Sequence, residues 1–248
     1  MEEKHLPDIG GSLMSSKVST LLLREMKSGA YASARKLPPE AELAERLGVS
    51  RSVIRDALSD LEHEGYVERI RGVGTVIDRN IVNLTNRLDM KLEYNDLIRN
   101  AGCTPTSDSF LVRRKKADVP LAEKLGIPPG TEIIAFEKRV LAGKRPVIYS
   151  FDYLRASLLR GTDWRTIDWR RTIFDVLEDV CGAAVTTDLT QVCATNADPY
   201  VRKKLELKPE EALILLDEIS CDRQNRPVLR SFEFYTDFFD FFILRKRF

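Results

Sequence analysis

The chain is poor in the residues on which most catalytic and metal chemistry draws. Of 248 residues only two are histidines, His5 and His63, and four are cysteines. Cys103, Cys181, Cys193 and Cys221 are scattered, with no CxxC spacing. A structural metal needs clustered thiolates or imidazoles, so no metal, no cofactor and reduced thiols are expected. No Ser/His/Asp set and no phosphate-cradling glycine loop stands out, so no catalytic residues are expected. No run approaches the roughly 18–20 apolar residues that span a bilayer. The opening Met1-Glu-Glu-Lys-His-Leu-Pro lacks the basic-then-apolar layout of a secretory leader. The expected setting is therefore the cytoplasm, with no membrane partner. An excess of one charge is missing too, since 39 Lys and Arg stand against 38 Asp and Glu. Net charge accordingly says nothing about partners. The hydrophobic share of 43% is enough for real cores, and the length allows one large domain or two modest ones.

The first part of the chain reads as three helices and a hairpin. Residues 14–28 carry a helical pattern that Gly29 ends. Pro38-Pro39 opens a short helix, Glu40 to Leu47, and Gly48-Val49 makes a turn. Ser50 is a good N-cap for a third helix, striped by Val53, Ile54, Ala57, Leu58 and Leu61 and stopped by Gly65. Tyr66–Ile70 and Thr75–Ile77 then form a hairpin with Arg71-Gly-Val-Gly at its tip. This is a winged helix-turn-helix.

In such a motif the start of the second helix of the pair enters the major groove. Ser50, Arg51, Ser52 and Arg55 lie off the apolar stripe at that end. Arginine bridges guanine O6 and N7, while serine and helix N–H groups suit phosphates. Arg71 and Gly72 sit at the wing tip, and Arg35 and Lys36 precede the second helix, placed to hold the DNA backbone. Residues 1–80 carry twelve Lys/Arg against thirteen Asp/Glu, so the unit is not basic overall. Its cations nevertheless fall on the segments that would face DNA. A weak patch of this kind favours two copies on a paired site. The same geometry also occurs in winged helices that bind proteins.

The segment Leu37-Pro-Pro-Glu-Ala-Glu-Leu-Ala-Glu-Arg-Leu-Gly-Val-Ser-Arg-Ser-Val-Ile-Arg-Asp-Ala-Leu, followed by Arg71-Gly-Val-Gly-Thr-Val, resembles the GntR family of bacterial repressors. The resemblance covers roughly residues 14–80. It implies DNA contacts at Ser50, Arg51, Ser52 and Arg55 in the helix and at Arg71 and Gly72 in the wing. Ala41 and Val53 depart from the family pattern, which often has Arg and Thr at those places.

The remainder contains a repeat. Ala117-Asp-Val-Pro-Leu-Ala-Glu-Lys-Leu matches Ala197-Asp-Pro-Tyr-Val-Arg-Lys-Lys-Leu, and Arg145-Pro-Val-Ile-Tyr-Ser-Phe-Asp-Tyr matches Arg226-Pro-Val-Leu-Arg-Ser-Phe-Glu-Phe. The offsets are 80 and 81 positions. A duplicated helix–strand–turn–strand unit predicts an α+β domain, with an antiparallel sheet and helices on one face. Period-two reading puts Ile148, Ser150 and Asp152 on one strand face, and Leu229, Ser231, Glu233 and Tyr235 on one face of the repeat partner. Either this polar face is the sheet's solvated side, or a pseudo-twofold axis brings both copies to one cleft. Carboxylates in such a cleft suit ligand hydroxyls or amines, and Lys138, one strand earlier, suits an anionic group.

Glu137–Leu154 and Cys221–Asp237 resemble the UTRA effector domain, which follows this winged helix in the HutC-type branch of the GntR family. The resemblance implies a chorismate-lyase-like fold that binds small metabolites and carries the dimer contact. Its effector residues map to Lys138, Ser150, Asp152, Glu233 and Tyr235. Family members often have Arg-x-Arg where this chain has Lys138-Arg-Val140, which weakens the case for a phosphorylated ligand. The expected organisation is 12–78 winged helix, 79–88 linker and 89–248 effector and dimerisation domain. The expected function is a homodimeric, ligand-responsive repressor on a palindromic operator. The alternatives are a second domain that only dimerises, or a lyase-like enzyme using Asp152 and Glu233.

Overall fold

The computed structural model describes residues 10–90 and 93–246. Of the tail 1–12, residues 1–9, with His5, lie outside them. The chain divides into two compact units at Thr85/Asn86, within the stretch read above as a linker. The segment from Leu244 onward belongs with the first unit rather than the second.

The first unit follows the predicted order: α1 (Gly10–Ser28), α2 (Glu40–Leu47), α3 (Arg51–His63), β1 (Val67–Ile70), β2 (Gly74–Ile77) and α4 (Arg79–Val82). Gly48, at φ +64°, ends α2 and donates back to the carbonyls of Ala44 and Glu45. Ser50 caps α3 by accepting from the Val53 N–H at 3.3 Å. Leu22, Met26, Leu43, Ile54, Leu58 and Leu61 are each buried, and each such side chain stabilises the unit by about 1.5–3 kcal/mol. Residues 35–37 run beside β2, with Leu37 N–H donating to Thr75 O at 2.9 Å and Ile77 N–H to Arg35 O at 3.0 Å. Arg79 works as structure: its guanidinium donates to the carbonyls of Met26 (2.7 Å) and Ala34 (3.1 Å). The Lys246 ammonium donates to the carbonyls of Glu62 (2.6 Å) and His63 (2.8 Å) at the C-terminal end of α3, and the Glu62 carbonyl also accepts from the Gly65 N–H at 3.1 Å.

The second unit contains α5 (Tyr94–Asn100), β3 (Pro105–Lys116), α6 (Val119–Leu125), β4 (Glu132–Ala142), β5 (Arg145–Arg155), α7 (Ile173–Asp179), β6 (Val185–Thr195), α8 (Pro199–Lys204), β7 (Leu213–Asp222) and β8 (Pro227–Tyr235). The six strands form one antiparallel sheet in the order β3-β4-β5-β8-β7-β6. The duplication is visible in the pairing. Phe151 and Phe232, equivalent by the 81-residue offset, face each other at the centre of the β5–β8 pair. Asp118 and Asp198 cap the equivalent helices α6 and α8.

Helices cover both faces of this sheet, not one as the hairpin pattern suggested. Leu121 and Leu125 of α6 pack with Ile133 and Tyr153, and Val201 of α8 packs with Tyr149, Phe151 and Phe234. On the opposite face α7 buries Ile173, Val176 and Leu177 against Ile134, Phe136 and Leu154, while α5 places Tyr94 and Ile98 near Ile148 and Tyr235. Both faces carry enough apolar area to need a cover.

Candidate functional sites: a basic face and an acidic cavity

On the first unit, Arg51 and Ser52 stand exposed at the start of α3, and the Ser50 and Ser52 hydroxyls are 2.8 Å apart. Arg55, one turn on, is also exposed, with its guanidinium 3.5 Å from Glu40. Arg71 is exposed at the wing tip beside Gly72, whose φ of +77° lets the hairpin turn there. Arg35 is exposed next to β2, and Lys36 donates to Val73 O at 3.0 Å, tying its segment to the wing. Helix start, wing tip and the segment before α2 thus bring all eight predicted contact residues into one small unit.

On the second unit, the sheet carries polar rows beneath α5 and α7. Lys138 pairs with Ser150, Ser150 with Glu233, and Glu233 with Leu216. In the next row Phe136 pairs with Asp152, Asp152 with Ser231, Ser231 with Glu218, and Glu218 with Thr190. These groups do not form a solvated face. Lys138 and Ser150 are 1% exposed, Asp152 3% and Glu233 6%.

Burial is matched by hydrogen bonding. The Ser231 hydroxyl donates to Asp152 at 2.6 Å, and Ser150 donates to the other oxygen at 3.2 Å. Tyr235 donates to Glu233 at 2.5 Å, and Thr190 to Glu218 at 2.7 Å. Lys138 turns its ammonium to the carbonyls of Arg170 and Arg171, each at 3.2 Å, with the Tyr94 ring 5.2 Å away. Burial lowers the Lys138 pKa, with Asp152 and Glu93 opposing. The Tyr94 and Tyr235 hydroxyls are pushed well above the usual phenol range by burial first and nearby carboxylates second.

Next to these rows lies a cavity of about 310 Å³, within the range of small-molecule sites. Glu233 and Tyr235 line it; Lys138, Ser150 and Asp152 do not. They sit in the layer alongside. Its remaining wall comes from the segment 87–90, α5, α7, β6 and β7. Asn86–Leu88 is held by Phe242, with Leu88 N–H donating to Phe242 O at 2.8 Å. The buried Arg87 pairs with Asp89.

Comparison with known proteins decides what these parts are. The model of the bacterial regulatory proteins of the gntR family matches residues 14–77, and that of the UTRA domain matches residues 100–237. The chain belongs to the GntR family and carries a UTRA domain. It is a ligand-responsive, DNA-binding transcriptional regulator. It is 25% identical over 212 residues to the "Uncharacterized HTH-type transcriptional regulator YurK" of Bacillus subtilis (strain 168), covering 86% of each chain. It is 24% identical over 216 residues to the "Probable fructoselysine utilization operon transcriptional repressor" of Escherichia coli (strain K12), covering 87% of each. In fold, the regulator is similar to YydK from Bacillus subtilis subsp. subtilis str. 168, with a TM-score of 0.71 at 17% identity, covering 94% of this chain and 99% of that one. A crystal structure of PhnF from Mycobacterium smegmatis is similar at a TM-score of 0.56 and 23% identity, covering 92% and 99%.

Sequence reasoning did not reach several lining residues of the regulator's cavity: Arg87, Asp89, Glu93, Asp188 and Glu218. One signal was present for Glu218. It pairs with Ser231 as Lys138 pairs with Ser150, so the two occupy equivalent places in the repeat with opposite charge.

Proposed function

We propose that the regulator is a homodimeric repressor whose operator complex is released when a small polar metabolite enters the cavity beside Glu233 and Tyr235. Arg51 and Arg55 read base edges, and Ser50, Ser52, Arg35, Lys36, Arg71 and Gly72 hold the DNA backbone. The observation that carries this reading is the pairing, on one chain, of a ligand-sized, polar-lined cavity with exposed arginines at the start of α3 and at the wing tip. A domain serving only to dimerise needs no such cavity, and the chain acts by binding, in the cytoplasm, without catalysis. Repression is supported by the name of the Escherichia coli relative.

A second copy has a natural place on the sheet. The strand β6 lies at the sheet edge and carries one charged residue, Asp188, in eleven. Leu189 is 71% exposed and Val192 48%. A long, weakly charged edge offers backbone groups for pairing with an identical strand, and a twofold protein matches a twofold site. Ligand acts here only through unequal affinity for DNA-competent and DNA-incompetent states.

The test is operator binding by fluorescence anisotropy, on DNA selected from a random pool, with and without a cellular metabolite extract. Loss of the complex on adding extract, restored by dialysis, is the expected result. A complex indifferent to every extract leaves dimerisation as the second domain's role.

A further inference from the structure

Reading the cavity as the effector site leaves its ligand chemistry open, and the lining narrows it. Among the described residues the wall carries five carboxylates, from Asp89, Glu93, Asp188, Glu218 and Glu233, against one guanidinium, Arg87. That guanidinium is engaged by Asp89. The buried ammonium of Lys138, in the layer alongside, is turned to backbone carbonyls outside the wall. The carboxylates come from the segment before α5 and from three different strands, β6, β7 and β8. Three stand on neighbouring strands of one sheet and two on the segment before α5, so the acids come from two separate parts of the wall.

Aromatic rings complete the wall: Tyr94, Phe174, Tyr235 and Phe241. Tyr235 and Phe241 meet edge to face at 5.2 Å. Rings present electron-rich faces to a cation, and carboxylates present acceptors to N–H donors. Among the described residues no group of three or more carboxylates, thiols or imidazoles is placed to hold a metal ion. The charge is spread as an organic molecule would need it. Burial does most to raise the Tyr94 and Tyr235 hydroxyls, and the carboxylates beside them add to it.

We propose that the effector of this regulator is an organic cation, a small molecule bearing an amine or ammonium group, seated among these carboxylates and rings. This rests on the reading of the cavity as the effector site. A phosphate monoester or a free carboxylate of the same size meets repulsion from most of the wall and finds no uncommitted cation among the described residues lining it.

The experiment separates a small-molecule cell extract on ion-exchange resins into cationic, neutral and anionic fractions. Each fraction is added to the full-length chain and the melting temperature is recorded. The cationic fraction is expected to raise it by about 5 °C or more. In Glu233→Gln the concentration for half of that shift should rise about tenfold. Asp188→Asn, at a half-buried position, should move it in the same direction, and each variant's ligand-free melt reports its fold. A shift carried by the anionic or neutral fraction, or one that both variants leave unchanged, overturns the cation while the effector reading stands. Silence from all three fractions removes the effector reading and the cation with it.

Discussion

Ser231 donates its hydroxyl to Asp152 at 2.6 Å across the β5–β8 pair, at the middle of a sheet that helices cover on both faces. The same carboxylate accepts from Ser150 and lies close enough to support the charge of Lys138. Removing it leaves buried hydroxyls and a buried ammonium with less compensation. Asp152→Ala is expected to destabilise the protein by about 3 kcal/mol, and Asp152→Asn by less. Urea unfolding of the two variants checks this, and equal stabilities of Ala and wild type would count against the network.

For DNA, the exposed helix start and the wing make different predictions. Arg51→Ala and Arg55→Ala should each cost about 1–3 kcal/mol on the cognate operator and little on unrelated DNA, as base contacts do. Arg71→Ala should weaken both DNAs alike and lower the salt slope by about 1, as a phosphate contact does. Anisotropy titrations over a salt series measure all three.

At the sheet edge, Leu189→Lys places a charge on the most exposed large apolar side chain of β6. Such a charge opposes strand pairing between copies. Light scattering should show the wild-type chain at twice the mass of the variant, with the melting temperature nearly unchanged. A dimeric Leu189→Lys protein locates the interface elsewhere.

Alkaline pH offers a further check on the cavity wall. The Tyr235 hydroxyl titrates well above its ordinary value of 10.0 in the folded chain. Its contribution is fully present below pH 10 and is lost as pH rises beyond it, because the unfolded phenol releases its proton first. Tyr235→Phe should flatten the fall of unfolding free energy between pH 10 and 11. An unchanged slope would mean the phenol is not held protonated by its buried site.

Much of this architecture was legible in the chain. Ser50 as a cap, Gly48 as a turn and the Arg71–Gly74 tip are local signals, decided by a few neighbouring residues. The repeat fixed the β4–β5 and β7–β8 hairpins because equal patterns fold equally. What pattern could not reach was the cover on the polar face. A strand that alternates Ser, Asp and Ile reads as half-solvated, and only the packing of α5 and α7 makes Asp152 and Glu233 interior groups. The cavity's acids escaped for the same reason. Asp89, Asp188 and Glu218 are distant in sequence and meet only once the β6–β7–β8 order is set.

The axis between Phe151 and Phe232 has a consequence for how many molecules one chain can hold. A sheet built from two equivalent halves offers two equivalent hollows. In the first half the place matching Glu218 is taken by Lys138, tied to the carbonyls of Arg170 and Arg171, and the Phe136 ring leans on Trp169 at 5.4 Å. Side chains and carbonyls thus meet at that place, whereas the cavity lies beside Glu218 in the other half. Calorimetric saturation should accordingly fall at one equivalent per protomer: the ancestral symmetry survives in the framework and is broken in the vacancy it encloses.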